Sequence, residues 1–331
     1  MQRLLAAVAA LFCLAGCGLP GGLADSLPFA DQGAVVKEAL ANFDNASALS
    51  FSNLSLPLGE GPVQGNLLYQ RGSQVMGDLT QGSTPVQYLE LGGQAYVKAG
   101  KAYWQGRHVD ALSKVGDGRW AVDPNSRLKD QVQSLLLGPN AFAPQFRASK
   151  ADVKKGLQTS VNGRSAHRYT VTAGGVLAIS DDRPRQIIHA DYYAAGLVQT
   201  DVSYQPKIPV QNKPDRILDV NDAATLPAQY SVVRPDDSVK CAQPCFVAYI
   251  VSNGNGAPEG TSTLTVGASD ESDTLDLGSC SVNLPPVGNL QQRSVGCNLS
   301  DSPPFASYER SHPDGFRFQT RPKIHNAIWD D

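Results

Sequence analysis

Four of the six cysteines, Cys241, Cys245, Cys280 and Cys297, fall in one C-terminal segment of a 331-residue chain. Thiols grouped in this way bond to a metal or to one another. Zinc sites are commonly built from paired C-x2-C knuckles. The spacing Cys241-x3-Cys245, followed by two separated cysteines, lacks them. Two disulfides are the expected chemistry. Three pairings are open to four cysteines. A hairpin turning near Gly288-Asn289 would face Cys280 to Cys297 and leave Cys241 to close a small loop with Cys245. The five histidines, His108, His167, His189, His312 and His325, show no i, i+4 pair. Asp181-Asp182 precedes Arg183-Pro184 and reads as a turn. Asp270, Glu271, Asp273 and Asp276 read as a solvated acidic loop, with calcium as the competing reading. Gly254-x-Gly256-x-x-x-Gly260 is one residue off a dinucleotide fingerprint and lies between strand-like segments. No nucleophile elbow, zincin helix, phosphate-binding loop or redox C-x-x-C occurs. The chain therefore reads as a non-enzyme, with no catalytic residues, metal or cofactor.

The other two cysteines stand at the N-terminus. Arg3 and the apolar run Leu4 to Leu14 resemble an export signal, and Leu14-Ala15-Gly16-Cys17 resembles the bacterial lipobox. That resemblance implies diacylglycerol on the Cys17 thiol, cleavage before Cys17 and acylation of the new amine. A plain cleaved signal is the competing reading. Residues 1–16 are then a lipoprotein signal peptide and residues 17–30 a Gly/Pro/Leu-rich tether. No later apolar run is long enough to span a bilayer. Lipidated Cys17 is the expected membrane attachment, on the extracytoplasmic face.

Residues 230–331 carry 7 Lys/Arg and 12 Asp/Glu, a net of −5, whereas residues 17–229 carry 20 against 19. Neither part is basic enough for nucleic acid. The step in charge supports a boundary near Tyr230, after a Pro/Asp/Asn-rich stretch of which 221–229 is taken as linker.

The elements that must position any site follow from periodicity. Val36, Leu40 and Phe43 recur at i, i+4, i+7 after Asp31, an N-cap residue, and mark a helix. Strand-like segments follow, with a phase shift at Asn53-Leu54 that predicts a bulge. Turns are expected at Arg71-Gly72-Ser73, Gly92-Gly93 and Asn162-Gly163, and Ala102-Tyr103-Trp104 continues the strand pattern. Asp123-Pro124 opens a second helix with the stripe Leu128, Val132, Leu135, Leu136, and a third, weaker one covers Ala141 to Lys150. The fold class read from this order is α+β: a half-open antiparallel β-barrel or curved sheet on helices over residues 31–220. A small immunoglobulin-like β-sandwich over residues 230–331 follows it.

Several stretches carry a family resemblance. The lipobox, the tether, the helix entering Leu49-Ser50-Phe51-Ser52, and Gly93-Gln94-Ala95-Tyr96-Val97 leading to Tyr103-Trp104 resemble the LppX/LprG-type bacterial lipoproteins. So does Val161-Asn162-Gly163-Arg164-Ser165-Ala166-His167-Arg168-Tyr169, followed by Pro184-Arg185-Gln186-Ile187. Those proteins are similar in fold to the lipoprotein carriers LolA and LolB. The resemblance implies an apolar cavity for acyl chains and a lipid or lipoprotein ligand. It covers about residues 31–220, and the C-terminal segment departs from it. Candidate cavity residues are Leu54, Leu67, Tyr69, Leu89, Leu135, Leu136, Phe142, Phe146, Tyr169, Val171 and Ile187. Gly65, Gly77, Gly92, Gly93, Ala95, Ala173 and Gly174 are expected to leave room in the sheet. The alternative role is that of a structural lipoprotein whose C-terminal part binds an envelope protein or glycan.

Overall fold

The computed structural model describes residues 31–56, 61–125, 127–136, 153–171, 175–193, 197–237, 241 and 243–330. Helix α1 (Gln32–Asn45) starts where expected, because the Asp31 carboxylate accepts the Gly33 N–H at 3.0 Å. It buries Val35, Val36, Ala39, Leu40 and Phe43. Ten further elements complete the N-terminal meander and the start of its return: β1 (Ala48–Leu56), β2 (Val63–Gln70), β3 (Gln74–Gln81), β4 (Thr84–Leu91), β5 (Gln94–Ala99), α2 (Lys101–Gly106), α3 (Asp110–Val115), β6 (Arg119–Val122), α4 (Arg127–Leu136) and β7 (Val153–Val161). Then come β8 (Arg164–Val171), β9 (Gly175–Ser180), β10 (Ile187–Tyr193) and β11 (Leu197–Gln205).

These strands form one eleven-stranded antiparallel sheet in the order β6-β5-β4-β3-β2-β1-β11-β10-β9-β8-β7. The expected α+β class and half-open barrel are corrected by this arrangement. The chain is mostly β, 48% strand and 18% helix, and no barrel closes. The reason is topological. Two meanders meet at β1 and β11, so the sheet grows outward to β6 and β7, and these two edges do not pair. Ala102-Tyr103-Trp104, read as strand, lies in the helix Lys101–Gly106: Gly100 breaks the strand, and the following turns bury Tyr103, Trp104, Leu112 and Val115.

The bulge forms where the phase shift predicts it. Asn53 has φ +52°, and the register slips across it against both β2 and β11. Gly92-Gly93 and Asn162-Gly163 take positive φ at both positions, the requirement of tight hairpin turns. With this register, Leu49, Phe51, Leu54 and Leu56 of β1 share one face with Val63, Leu67 and Tyr69 of β2. Val75 and Leu79 of β3, and Val86, Tyr88 and Glu90 of β4, continue that face. Helix α1 lies on it, its Phe43 ring edge-on to Phe51 with centroids 6.3 Å apart. This is the inner face. Gly65 and Gly77 do not leave room on it, contrary to expectation. A Cβ on Gly77 would stand 2.3 Å from Leu67 Cδ2, and one on Gly65 the same distance from the Asp78 carbonyl oxygen. Both glycines are there for close approach.

Residue contacts divide the chain into two units, 1–95 with 126–213, and 96–125 with 214–331. In the second unit, Leu218 exchanges main-chain hydrogen bonds with Trp120 and Val122, covering the β6 edge. Arg119 and Arg216 both pair with the half-buried Glu259. The strands β12 (Tyr230–Pro235), β13 (Phe246–Asn253), β14 (Thr263–Asp270), β15 (Asp276–Asn283), β16 (Gln292–Asn298) and β17 (Phe318–His325) make two three-stranded sheets, β12-β13-β16 and β15-β14-β17. The expected immunoglobulin-like sandwich is thus two short sheets around one core, with α5 (Pro303–Ser311) inserting Phe305 into it.

Cys280 bonds to Cys297 and Cys241 to Cys245, with Cα separations of 5.9 and 4.4 Å. The pairing matches the expectation, but its reason does not. β15 and β16 are not a hairpin; they lie in different sheets, so Cys280–Cys297 ties one sheet to the other. In the chain-entropy account, closing that loop contributes about 3 kcal/mol. The acidic loop is also explained. The Asp270 carboxylate accepts the amides of Thr274 and Leu275 and the hydroxyls of Ser272 and Thr274, hydrogen bonds that hold it well below the usual carboxylate range. Arg317 pairs with Glu271, and Arg321 with Asp273.

Candidate functional site

Seven of the eleven candidate cavity residues can be placed by side chain. Leu54, Leu67, Tyr69, Tyr169, Val171 and Ile187 are all buried on the inner face. The register carries that face across β11, β10 and β9 to β8, where Tyr169 pairs with Leu177 and Val171 with Gly175. Leu89 is buried too, but on the opposite face. Val86, Tyr88 and Glu90 point inward, so strand alternation turns Leu89 outward beside Met76. The chain at 209–211 is pinned to that outer face at Gln74, whose amide donates to the Pro209 carbonyl and accepts the Gln211 N–H. Leu135 and Leu136 lie in α4, whose described stripe buries Leu128 and Val132. Phe142, Phe146, Ala173, Gly174, the expected helix at 141–150 and Cys17 with its tether lie outside the described residues.

A cleft of about 240 Å³ opens at the turn end of the inner face. Tyr69 and Val75 supply its apolar wall, and the Gly72-Ser73 and Gly92-Gly93 turns supply its lip. Glu90 brings a polar side chain to it from the inner face; Gln70 and Gln74 also line it, at positions that alternate to the outer face. Glu90 was not anticipated. It is a carboxylate on an otherwise apolar face, 9% exposed. Burying an ion is costly unless donors satisfy it. Here the Tyr88 hydroxyl donates to Oε2 and the Gln133 amide to Oε1, each at 2.9 Å. The signal in the sequence is the alternation Val86-x-Tyr88-x-Glu90. Gln133 lies on α4, and Lys129, one turn earlier, donates to the Gly93 carbonyl. Helix α4 is therefore tied to two of the residues that line the cleft, Glu90 and Gly93. Burial raises the Tyr69 phenol above its ordinary 10, a rise that Arg71 opposes and Glu90 adds to.

The outer face carries a second, polar cleft of about 310 Å³, lined by Thr159, Ser160, Val161, Asn162, Arg168, Ala178, His189 and Asp201. His189 bridges two carboxylates, Nδ1 to Asp201 at 2.6 Å and Nε2 to Asp191 at 3.0 Å. Asn53, placed by the bulge, donates to Asp201 at 2.8 Å, and Gln199 to Asp191 at 3.1 Å. The network is internally satisfied and ties β1, β10 and β11 together on the outer face. His167 and Asp181 make a second pair at 2.5 Å. Burial alone would raise Asp181, but hydrogen bonds from Ser165 and His167 and the charges of His167 and Arg185 hold it below its ordinary 3.8. Among the described residues, no group of three or more His, Cys, Asp or Glu side chains could hold a metal ion.

No family model matches the chain, and no curated protein matches it. Among solved structures, it is similar to one described as the crystal structure of MucB in complex with MucA(peri). The identity is 14%, over 80% of this chain and 98% of that one, with a TM-score of 0.23. A likeness that loose transfers neither fold nor function.

Proposed function

We propose that the protein is a lipid-anchored, extracytoplasmic binding protein that takes up acyl chains on the inner face of its large sheet. The observation that carries this reading is the cleft at the turn end of that face. Tyr69 and Val75 give it an apolar wall with the buried Glu90 carboxylate beside them, and both side chains belong to the aliphatic and aromatic face on which α1 lies. A mainly apolar lining with a few placed polar groups is the general pattern of small-molecule sites.

Uptake of the neutral fluorescent probe N-phenyl-naphthylamine tests the reading. The detergent-free protein should bind it saturably. Ser73 lines the cleft but is exposed in a turn, so Ser73→Trp should block the mouth without disturbing the core. Binding is expected to weaken at least about tenfold while the melting transition stays put. A wild-type protein that takes up no probe would contradict acyl-chain binding.

A further inference from the structure

We infer that Glu90 makes the cleft selective for lipids whose polar end is uncharged and donates hydrogen bonds, such as a monoacylglycerol, and rejects free fatty acids; this rests on the acyl-chain reading above. The cleft is lined by a buried carboxylate. Arg71 and Lys129 are cations near the rim, but neither lines the cleft. The Arg71 guanidinium is turned to the Ala46 carbonyl and the Lys129 ammonium to the Gly93 carbonyl. A fatty-acid carboxylate carried past the rim as far as Glu90 would meet a buried like charge whose bonded partners, Tyr88 and Gln133, are both uncharged, and like charges repel more strongly there than in water. A glycerol hydroxyl in the same place would donate to it. A carboxylate retains lone pairs after accepting one bond at each oxygen, so the Tyr88 and Gln133 bonds leave room for such a donor. Rejection matters as much as attraction, because specificity is a difference between two affinities and repulsion built against the wrong ligand widens it.

The test is displacement of N-phenyl-naphthylamine by monooleoylglycerol and by oleate, with the same acyl chain on both. Wild-type protein should prefer monooleoylglycerol by about tenfold, the effect expected of one buried like-charge contact. Glu90→Gln keeps a hydrogen-bonding group of the same shape and removes the charge. It should tighten oleate binding until the preference falls to about twofold, with monooleoylglycerol binding as the check that the variant is folded. Equal displacement by the two ligands in the wild type would overturn the selectivity and leave acyl-chain binding standing. Displacement by neither would remove the acyl-chain reading, and this inference with it. The wild-type ratio decides the matter even if the variant fails to fold.

Discussion

Cys17→Ala should move the protein from the membrane fraction into the soluble fraction almost completely. No helix among the described residues is long and apolar enough to cross a membrane, and the proposed anchor is the acylated N-terminus. Each buried methylene contributes about 0.8 kcal/mol, so one chain holds a protein only marginally while two or three hold it firmly. Removing the thiol removes the diacylglycerol, and the apolar run Leu4 to Leu14 that stays uncleaved is too short to span a bilayer in its place. Fractionation after a high-salt wash reads the result. A variant that still sediments with membranes would show that Leu14-Ala15-Gly16-Cys17 is not the attachment.

Phe51→Ala should cost about 4 kcal/mol of folding stability. Phe51 is fully buried on the inner face between β2 and β11, with the Phe43 ring of α1 packed edge-on against it. Truncating a phenyl ring there loses the transfer energy of the ring and leaves a void that the glycine-tight β2–β3 packing cannot fill. That is a large share of the stability of an ordinary domain. Urea unfolding followed by circular dichroism measures it. A loss under about 1 kcal/mol would mean that α1 is loosely seated on the sheet.

Much of this architecture is legible in residue patterns, because the signals are local. The α1 stripe, the bulge at Asn53 and the Gly-Gly and Asn-Gly turns each follow from a few neighbouring residues. The second helix is legible as an element, but it begins at Arg127 rather than after Asp123, since Asn125 adopts φ +75°. Where long-range contacts decide, the pattern misleads. Tyr88-Leu89-Glu90 offers two apolar neighbours and a charge, and hydropathy alone turns Glu90 outward. The structure turns it inward because Val86 and Tyr88 fix the phase of β4 and Gln133 supplies a donor from another element. The same limit explains Cys280–Cys297, whose partners are joined across two sheets. It also explains Gly65 and Gly77, whose tightness depends on β2 and β3 being side by side. The His189 network combines i, i+2 spacing within β10 with Asp201 and Asn53 on the adjoining β11 and β1, so it becomes visible only once register is known.

The most direct test of the central claim is the content of the protein as purified. The full-length chain, processed in its own envelope and released from membranes by cleavage within the tether, should be isolated without detergent and extracted into organic solvent. Mass spectrometry of the extract should then find acyl lipid in near-stoichiometric amount, and Ser73→Trp protein treated identically should carry much less. An extract free of lipid would contradict acyl-chain binding, as would one whose lipid content is the same in wild type and variant. Either result would turn attention to the second unit as a binder of an envelope protein or glycan.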